Sequence, residues 1–589
     1  MEEIILQRGQ LLAEAPTGTG KTISVLFPAL KALLASGAKK IFYLTAKTIG
    51  RKTVLDTMVL LQKQGLELRT IALTAKSKIC PCPDRVCSPK ACKYAKGFFD
   101  RIDSAIEDIL EHNIFDRRLI VEFSRLHQVC PFELSLELAE HSDLIICDFN
   151  YVFAPSVYLK RFFDFNPEDF ILLIDEGHNL VARGRNMFSA SISKEEVLRT
   201  RRKLKGYNQA IYRALGRLNR ELLSWRKKCE KLEDQDKKGV ILAEAIPDSI
   251  LDKVGKTLAV FENEFMDYTK PKPKKDPRRI TARNYYFELL KFIKINSIKG
   301  KEHVFYLEKE GRELKARLFC RDPAPFLAER YSQIHSSVIF SATLAPLEYF
   351  RNSLGILPES TSQVLSSPFP RKNFLLLVND RIRMTYKYRR QEIPRVVDSI
   401  LAMTAGKTGN YIIYFPSYGY MDKVLQVLRK QAPGLDLLVQ KPGMSESRRE
   451  DFLAEFIANK SKTLLGCAVM GGIFSEGIDL SGDRLIGAAV LTVSLPGISL
   501  ERNLIRDYFD EKYNKGFQFA YKYPGFNRVL QAAGRVIRSN KDRGVVFLID
   551  QRFGKAHYRR HYPEHWKEYR RVRRSYELES ACRLFWQED

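Results

Sequence analysis

The stretch Ala15-Pro16-Thr17-Gly18-Thr19-Gly20-Lys21-Thr22 decides the fold. Apolar residues lie before it, at 4–12, and a helical run follows it to about Leu34, so the order reads strand, glycine loop, helix. A loop of this kind turns its backbone N–H groups toward phosphate oxygens at a helix N-terminus, where the helix dipole also favours an anion. Lys21 would reach the β- and γ-phosphates and the Thr22 hydroxyl would hold Mg²⁺. Ala15 stands where the pattern has its first glycine. A Gly-x-Gly-Lys-Thr string occurs by chance in many chains, but this one lies between a strand and a helix, as the chemistry requires.

Its partner lies further on. In Ile171-Leu172-Leu173-Ile174-Asp175-Glu176-Gly177-His178, four apolar residues form a buried strand with two carboxylates at its end. Asp175 is placed to join the Mg²⁺ sphere, and Glu176 to orient and deprotonate an attacking water. Short apolar strands also stand at 41–45 and 144–147, and then at 338–340, 411–415, 463–467, 488–492 and 545–549. Strands alternating with helices predict an α/β fold with parallel, doubly wound sheets, here in two blocks with the first interrupted twice. Residues 190–267 read as helical and polar, 270–277 as a Pro/Lys linker, and 277–321 as mixed.

With 589 residues the chain is expected to hold about three or four domains. Hydrophobic residues at 45% and charged ones at 28% describe an ordinary globular chain. No run approaches the roughly 18 apolar residues of a membrane span, and Glu2 and Glu3 open the chain where a signal peptide would be basic. An intracellular, cytoplasmic protein with no membrane partner is expected. A net charge of +27, from 97 Lys and Arg against 70 Asp and Glu, favours polyanionic partners. Cations cluster at Lys272, Lys274, Lys275, Arg278 and Arg279, and again at Arg559, Arg560, Arg570, Arg571, Arg573 and Arg574. Tyr558, Tyr562, Trp566 and Tyr569, set among the second group, suit either base stacking or an ordinary packed helix.

These motifs resemble superfamily 2 helicases, and more narrowly the XPD/DinG family of iron–sulfur helicases. Tyr43-Leu44-Thr45-Ala46-Lys47-Thr48 resembles the family's strand-contacting motif, and Phe340-Ser341-Ala342-Thr343-Leu344 its coupling motif. Tyr414-Phe415-Pro416-Ser417-Tyr418 resembles the opening of the second lobe. Gly472-Ile473-Phe474-Ser475-Glu476-Gly477-Ile478-Asp479 resembles the fifth motif, and Gln531-Ala532-Ala533-Gly534-Arg535-Val536-Ile537-Arg538 the arginine-finger motif. The set runs from residue 13 to about 550; Gly177 departs from the family's alanine.

The resemblance implies two RecA-like lobes, the first carrying an iron–sulfur domain and a helical arch. The expected divisions are 1–75, 141–182 and 326–372 for lobe 1, 76–140 for the cluster domain, 183–325 for the arch and 373–589 for lobe 2. It implies ATP as cofactor, Gln531 as γ-phosphate sensor, Asp479 as the link from nucleotide to the opposite lobe, and Arg535 and Arg538 as guanidinium donors that act on lobe closure. Their three-residue spacing predicts a shared helix face. Translocation 5′ to 3′ on single-stranded DNA follows, with forked DNA and RNA–DNA hybrids as further substrates, by a monomer associated with the nucleoid. Two other readings compete: an ATPase that remodels nucleoprotein without unwinding, and a DNA-binding module with a degenerate motor. The intact Lys21, Asp175, Glu176, Arg535 and Arg538 oppose the second.

Five of the ten cysteines fall between positions 80 and 130: Cys80, Cys82, Cys87, Cys92 and Cys130. Four thiolates close a zinc site or a four-iron–four-sulfur (4Fe–4S) cluster. Zinc sites show two short pairs, and the spacing Cys80-x6-Cys87-x4-Cys92-x37-Cys130 does not. Disulfides are disfavoured in a reducing compartment. The family's irregular spacing, with Pro131 and Phe132 after the last cysteine, implies a 4Fe–4S cluster on Cys80, Cys87, Cys92 and Cys130. Cys82 is then the spare, with Cys80 the alternative. Tyr94, Phe98 and Phe99 beside them read as core residues or as groups at the DNA junction.

The family also carries an Arg-x-x-Gln element ahead of its first strand that reads adenine. Only 14 residues precede Ala15, and Gln7 and Gln10 stand too close to the loop for that role. The expectation is an N-terminally shortened chain that discriminates ATP from GTP poorly.

Overall fold

The structure, a computed structural model, describes residues 1–46, 48–83, 87–89, 91–233, 239–266, 277–472, 474 and 480–587. They fall into two compact units. The first is Met1–Leu11, Val25–Ile339 and Arg351–Thr361; the second is Leu12–Ser24, Phe340–Phe350 and Ser362–Asp589.

The chain opens on a short helix, Glu2–Leu6, and not on strand. Arg8 adopts a left-handed φ of 56° and the Gly9 N–H closes on the Ile4 carbonyl, which ends the helix and turns the chain into β1 (Gln10–Glu14). Then come β2 (Lys40–Leu44), β3 (Thr70–Ala72), β4 (Ile114–Phe115), β5 (Leu144–Cys147) and β6 (Phe170–Asp175). The expected strands at 41–45, 144–147 and 171–174 are in place. Both neighbours of β2, β5 and β6, run parallel to it. All three are apolar throughout their buried length, as strands covered on both faces must be.

The chain next leaves this sheet. The segment from β7 (Ala190–Ser193) through β8 (Val240–Ala243) and β9 (His303–Glu310) to β10 (Glu313–Cys320) forms a separate four-stranded sheet, order β7-β10-β9-β8, with antiparallel pairs. Four long helices pack with it: Lys194–Lys203, Gln209–Glu233, Asp248–Met266 and Pro277–Ser297. Their common core includes Leu215, Leu222, Phe261, Phe292, Leu307 and Leu318. The stretch 190–267, expected to be helical, thus also carries β7 and β8, while β9 and β10 lie in the stretch expected to be mixed. β9 and β10 form a hairpin that turns at Gly311, φ +58°, and Leu314, Ala316 and Leu318 alternate inward from β10. The chain returns with β11 (Ser336–Ser341) and β12 (Thr361–Val364) to complete an eight-stranded sheet, order β12-β1-β11-β6-β2-β5-β3-β4.

The second unit carries β13 (Phe374–Asn379), β14 (Asn410–Phe415), β15 (Asp436–Val439), β16 (Leu464–Val469), β17 (Gly487–Val490), β18 (Gly544–Ile549) and β19 (Arg570–Arg571). They form a seven-stranded parallel sheet in the order β15-β16-β14-β17-β18-β13-β19. Alternate residues of β14 enter opposite cores: Tyr411, Ile413 and Phe415 on one face, Ile412 and Tyr414 on the other. The second core also takes Tyr558, Tyr562 and Trp566, which settles those aromatics as packing residues. Among the described residues, no helix is long and apolar enough to cross a membrane. Asp479 and its neighbours 475–478, with Ile473, Lys47, Lys272, Lys274 and Lys275, lie outside the described residues.

Candidate nucleotide site and nucleic-acid interface

The phosphate loop is built where β1 ends. The Ala15 N–H donates to the Ser341 carbonyl at 2.9 Å, so the loop starts locked to the residue that opens the Ser-Ala-Thr motif. Gly18 holds φ +80° and Gly20 φ +66°. A Cβ on Gly18 would stand 2.3 Å from the Arg538 carbonyl oxygen and 2.2 Å from the Phe369 ring, so that position admits glycine alone. The Pro16 carbonyl accepts from Thr19 Oγ1 at 2.9 Å and from Lys21 Nζ at 3.2 Å, which draws the lysine back over its own loop. Lys21 and Thr22 are the first residues of the helix Lys21–Ser36, so their N–H groups belong to its unpaired N-terminal turn.

The structure brings this loop to the arginine motif. Thr17 Oγ1 donates to the Gly534 carbonyl at 3.3 Å. Gln531, buried near the end of the helix Tyr523–Ala533, donates from Nε2 to Thr343 Oγ1 at 3.4 Å, and Asn527 Nδ2 donates to the Ala345 carbonyl at 3.0 Å. The expectation that Arg535 and Arg538 share a helix face is corrected. The helix stops at Ala533 with Gly534 as its cap, and both arginines lie on the following turn. The Asp542 carboxylate fixes that turn by accepting the Arg538 and Ser539 N–H groups at 2.7 and 2.9 Å. Both guanidinium charges are felt at the buried Tyr414 hydroxyl, which donates to the Phe474 carbonyl at 2.9 Å. Burial nonetheless pushes that phenol well above its ordinary value. The Tyr414 hydrogen bond ties β14 to Phe474.

Glu14, the last residue of β1, was not singled out by sequence. Its carboxyl accepts from the Leu344 backbone and is pushed up from 4.5 to about 7 by burial. The available signal was an acid ending an apolar strand directly before the loop.

Asp175 and Glu176 lie in the first unit, at the end of β6. Asp175 Oδ1 accepts the Glu176 N–H at 2.9 Å, and Glu176 takes a left-handed φ of 52°. For a residue with a Cβ this costs about 1–3 kcal/mol, a strain typical of functional sites. Glu176 Oε2 lies 3.4 Å from His178 Nδ1, so the carboxylate has a built-in neighbour to orient it. Nearby, a cleft of about 590 Å³ is lined by Arg51, Lys76, Lys78, Arg183, Phe132 and Tyr151, and Asp148 supplies its acid, paired with Arg183 at 2.7 Å.

The cysteines divide sharply. Cys147, Cys229, Cys320, Cys467 and Cys582 are buried; Cys80, Cys82, Cys92 and Cys130 are half-exposed and Cys87 is exposed. Cys130 is the N-cap residue of the helix Pro131–Glu140, and burial pushes its thiol up against the pull of the Glu133 and Phe132 backbone N–H groups. Lys76 bonds Cys87 and lies near Cys130. The Cys82 N–H points at Cys80 Sγ, 3.4 Å away. This donor chemistry suits a thiolate-held group, but among the described residues no three such side chains converge as a metal site. Of the neighbouring aromatics, Tyr94 and Phe98 are buried and Phe99 is 85% exposed.

Comparison with known proteins agrees with this layout. The family described as DEAD_2 matches residues 57–197, and the one described as Helicase C-terminal domain matches residues 400–569. The XPD helicase subunit of the general transcription and DNA repair factor IIH from Dictyostelium discoideum is 20% identical, over 94% of this chain and 84% of its own. A solved XPD helicase superposes with a TM-score of 0.65 at 17% identity, covering 97% of both chains. In sequence and in fold the chain is similar to the XPD-like helicases of superfamily 2. A probable ATP-dependent helicase of Methanocaldococcus jannaschii is 23% identical over 94% of this chain and 90% of its own. The ATP-dependent DNA helicase CHL1 of Coccidioides immitis is 22% identical over 78% of this chain. This chain spans about three fifths of the length of the CHL1 relatives it matches. The two matched stretches take in the cysteines with Asp175 and Glu176, and Gln531 with Arg535 and Arg538, respectively.

Proposed function

We propose that this chain is an ATP-dependent DNA helicase of the DinG type that moves 5′ to 3′ along single-stranded DNA and parts duplexes in repair or replication. The observation that carries the reading is the meeting of phosphate loop and arginine motif, through Thr17 with Gly534 and Gln531 with Thr343. A loop that can cradle phosphates next to two guanidiniums is an arrangement for phosphoryl transfer, whose developing charge falls on the γ-phosphate oxygens.

In this mechanism Ala15 to Thr22 bind the phosphates of ATP and Lys21 moves from the Pro16 carbonyl to the phosphate oxygens. Thr22 and Asp175 would hold Mg²⁺, which when bound neutralises charge on the β- and γ-phosphates. Glu176 takes the proton from the attacking water. Arg535 and Arg538 lie against the transferred group, Gln531 reports its presence to Thr343, and Asp479 links nucleotide to the opposite lobe. The basic cleft of Arg51, Lys76, Lys78 and Arg183 takes phosphates of the strand, with Tyr151 available to bases.

Cys80, Cys87, Cys92 and Cys130 would hold a 4Fe–4S cluster, whose chemistry here is a rigid cross-link of residues 76–140. The N–H donated to Cys80 supports Cys82 as the spare. Residues 183–325 are the arch, with lobe 1 in 1–75, 141–182 and 326–372 and lobe 2 in 373–589. The protein acts as a monomer in the cytoplasm on the nucleoid, with forked DNA and RNA–DNA hybrids as substrates.

Protein purified without oxygen and given forks with either a 5′ or a 3′ tail tests the reading. Unwinding of the 5′-tailed fork with ATP is expected. ATP hydrolysis on single-stranded DNA with neither fork opened would replace the helicase by a nucleoprotein-remodelling ATPase.

A further inference from the structure

The helix Gln209–Glu233 has a face that the proposed motor does not use. It buries Ile211, Leu215, Leu218, Leu222 and Cys229 in the insertion core. Its opposite face exposes Arg213, Arg217, Arg220, Lys227 and Lys231, at helical three- and four-residue steps interrupted by Ser224. At 1.5 Å per residue the stripe is about 27 Å long. Among the described residues none of the five makes an ion pair. Two acids of the same helix are taken, Glu221 by Trp225 Nε1 at 2.9 Å and Glu230 by Arg226 at 3.3 Å. At its N-terminal end the stripe borders a recess of about 350 Å³ that Arg201 shares with Arg213, Arg217 and Arg220, opened by the missing side chain of Gly216 and lined by no acid.

A row of cations held apart by a rigid helix, with no ion pair to any acid among the described residues, fits a polyanion of regular spacing. We infer that this stripe is a second DNA contact, one that holds the phosphate backbone of the duplex; the inference rests on the function proposed above. Duplex is favoured over single strand by the aromatics. Single-strand sites combine cations with rings on which bases stack. Here the Tyr212 ring already carries the Arg201 guanidinium at 4.0 Å, and the Trp225 ring carries Lys228 Nζ at 3.5 Å. Duplex hides its bases and presents a charge about every 1.7 Å along its axis, so cations alone suffice.

The test is the triple variant R213A/R217A/R220A in the full chain, whose positions are exposed, with R213K/R217K/R220K as the charge-retaining control. Binding of a blunt duplex and of a single-stranded oligonucleotide is measured by anisotropy across a salt series. For the duplex, the slope of log affinity against log salt should become shallower by about 0.9 per lost contact, close to 3 in all. The lysine control should restore it, and single-strand binding and DNA-stimulated ATPase should stay as in wild type. An unchanged duplex slope overturns the inference, and so does an equal loss on both DNAs. Stripe-dependent duplex binding by a protein that opens no fork would remove the helicase reading and leave the stripe standing.

Discussion

Glu14 should make the phosphate loop pH-sensitive, and Glu14→Gln should remove that sensitivity. The carboxyl ends β1, one residue before Ala15, and burial raises it from 4.5 to about 7 while the Leu344 backbone donates to it. Between those two values the folded chain keeps a proton that the unfolded chain has released. Folding stability must therefore fall as pH rises from 4.5 to about 7 and stay at its lower value above that. A tenfold difference in proton affinity is worth about 1.4 kcal/mol, so the ionised carboxylate costs at most about 3 kcal/mol at pH 8. Glutamine keeps the size and the acceptor for Leu344 without the charge. Thermal midpoints of both proteins, taken from pH 4 to pH 9, should coincide at the acid end. They should then diverge through the window, with Glu14→Gln higher by a few degrees and the gap constant above neutrality. A gap independent of pH, or a variant that melts lower at pH 8 than wild type, would refute the reasoning.

Lys21→Ala and Glu176→Gln should each abolish ATP hydrolysis while single-strand affinity changes less than a few-fold; native turnover by Glu176→Gln would take the base assignment away. Arg535→Ala should lower kcat by roughly 10³-fold or more with a much smaller change in nucleotide affinity, because its charge acts in the transition state, and stopped-time phosphate release measures it. Cys87→Ser, Cys92→Ser and Cys130→Ser should lose bound iron and fork opening but keep part of the ATPase. Cys82→Ser should retain about four irons per chain by the stoichiometry of a cubane, and zinc without iron in anaerobic protein would overturn the ligand set. Phe99→Ala should slow strand separation without slowing DNA-stimulated hydrolysis, since its ring is 85% exposed and supports no core.

Much of the candidate nucleotide site was legible because its chemistry is local. A phosphate loop needs consecutive N–H groups, so strand, glycines, lysine and helix must be adjacent in sequence, and they are. Buried parallel strands are continuous apolar runs, so β2, β5, β6, β14 and β18 announce themselves. The insertion sheet did not, because β8 is only four residues long and half-covered, and it pairs with β9 from across some sixty residues of chain. Glu14 offered only its place at the end of an apolar strand directly before the loop, which does not by itself tell a buried carboxyl from an exposed one. The arginine turn misled for a related reason. Three-residue spacing fits a helix, but Gly534 caps it and Asp542, four residues beyond Arg538, captures the backbone that would have continued it.

That interruption matters to how the arginines can work. A helix would commit both side chains to one face, whereas this turn is held by the Asp542 carboxylate on one side and by Thr17 of the phosphate loop on the other. The helix is itself tied to the segment 341–348, through Gln531 to Thr343 and Asn527 to the Ala345 carbonyl. The same segment grips the phosphate loop, through the Ala15 N–H on the Ser341 carbonyl and the Leu344 backbone on Glu14. Loop, acid and arginine helix therefore share one short stretch as their common support. A displacement of a few tenths of an ångström at the phosphates has no slack to absorb it, because Gly18 already meets the Arg538 carbonyl and the Phe369 ring without room for a Cβ. Filling or emptying the loop is then expected to be felt at Thr343 and Gln531, the coupling that the proposed motor requires.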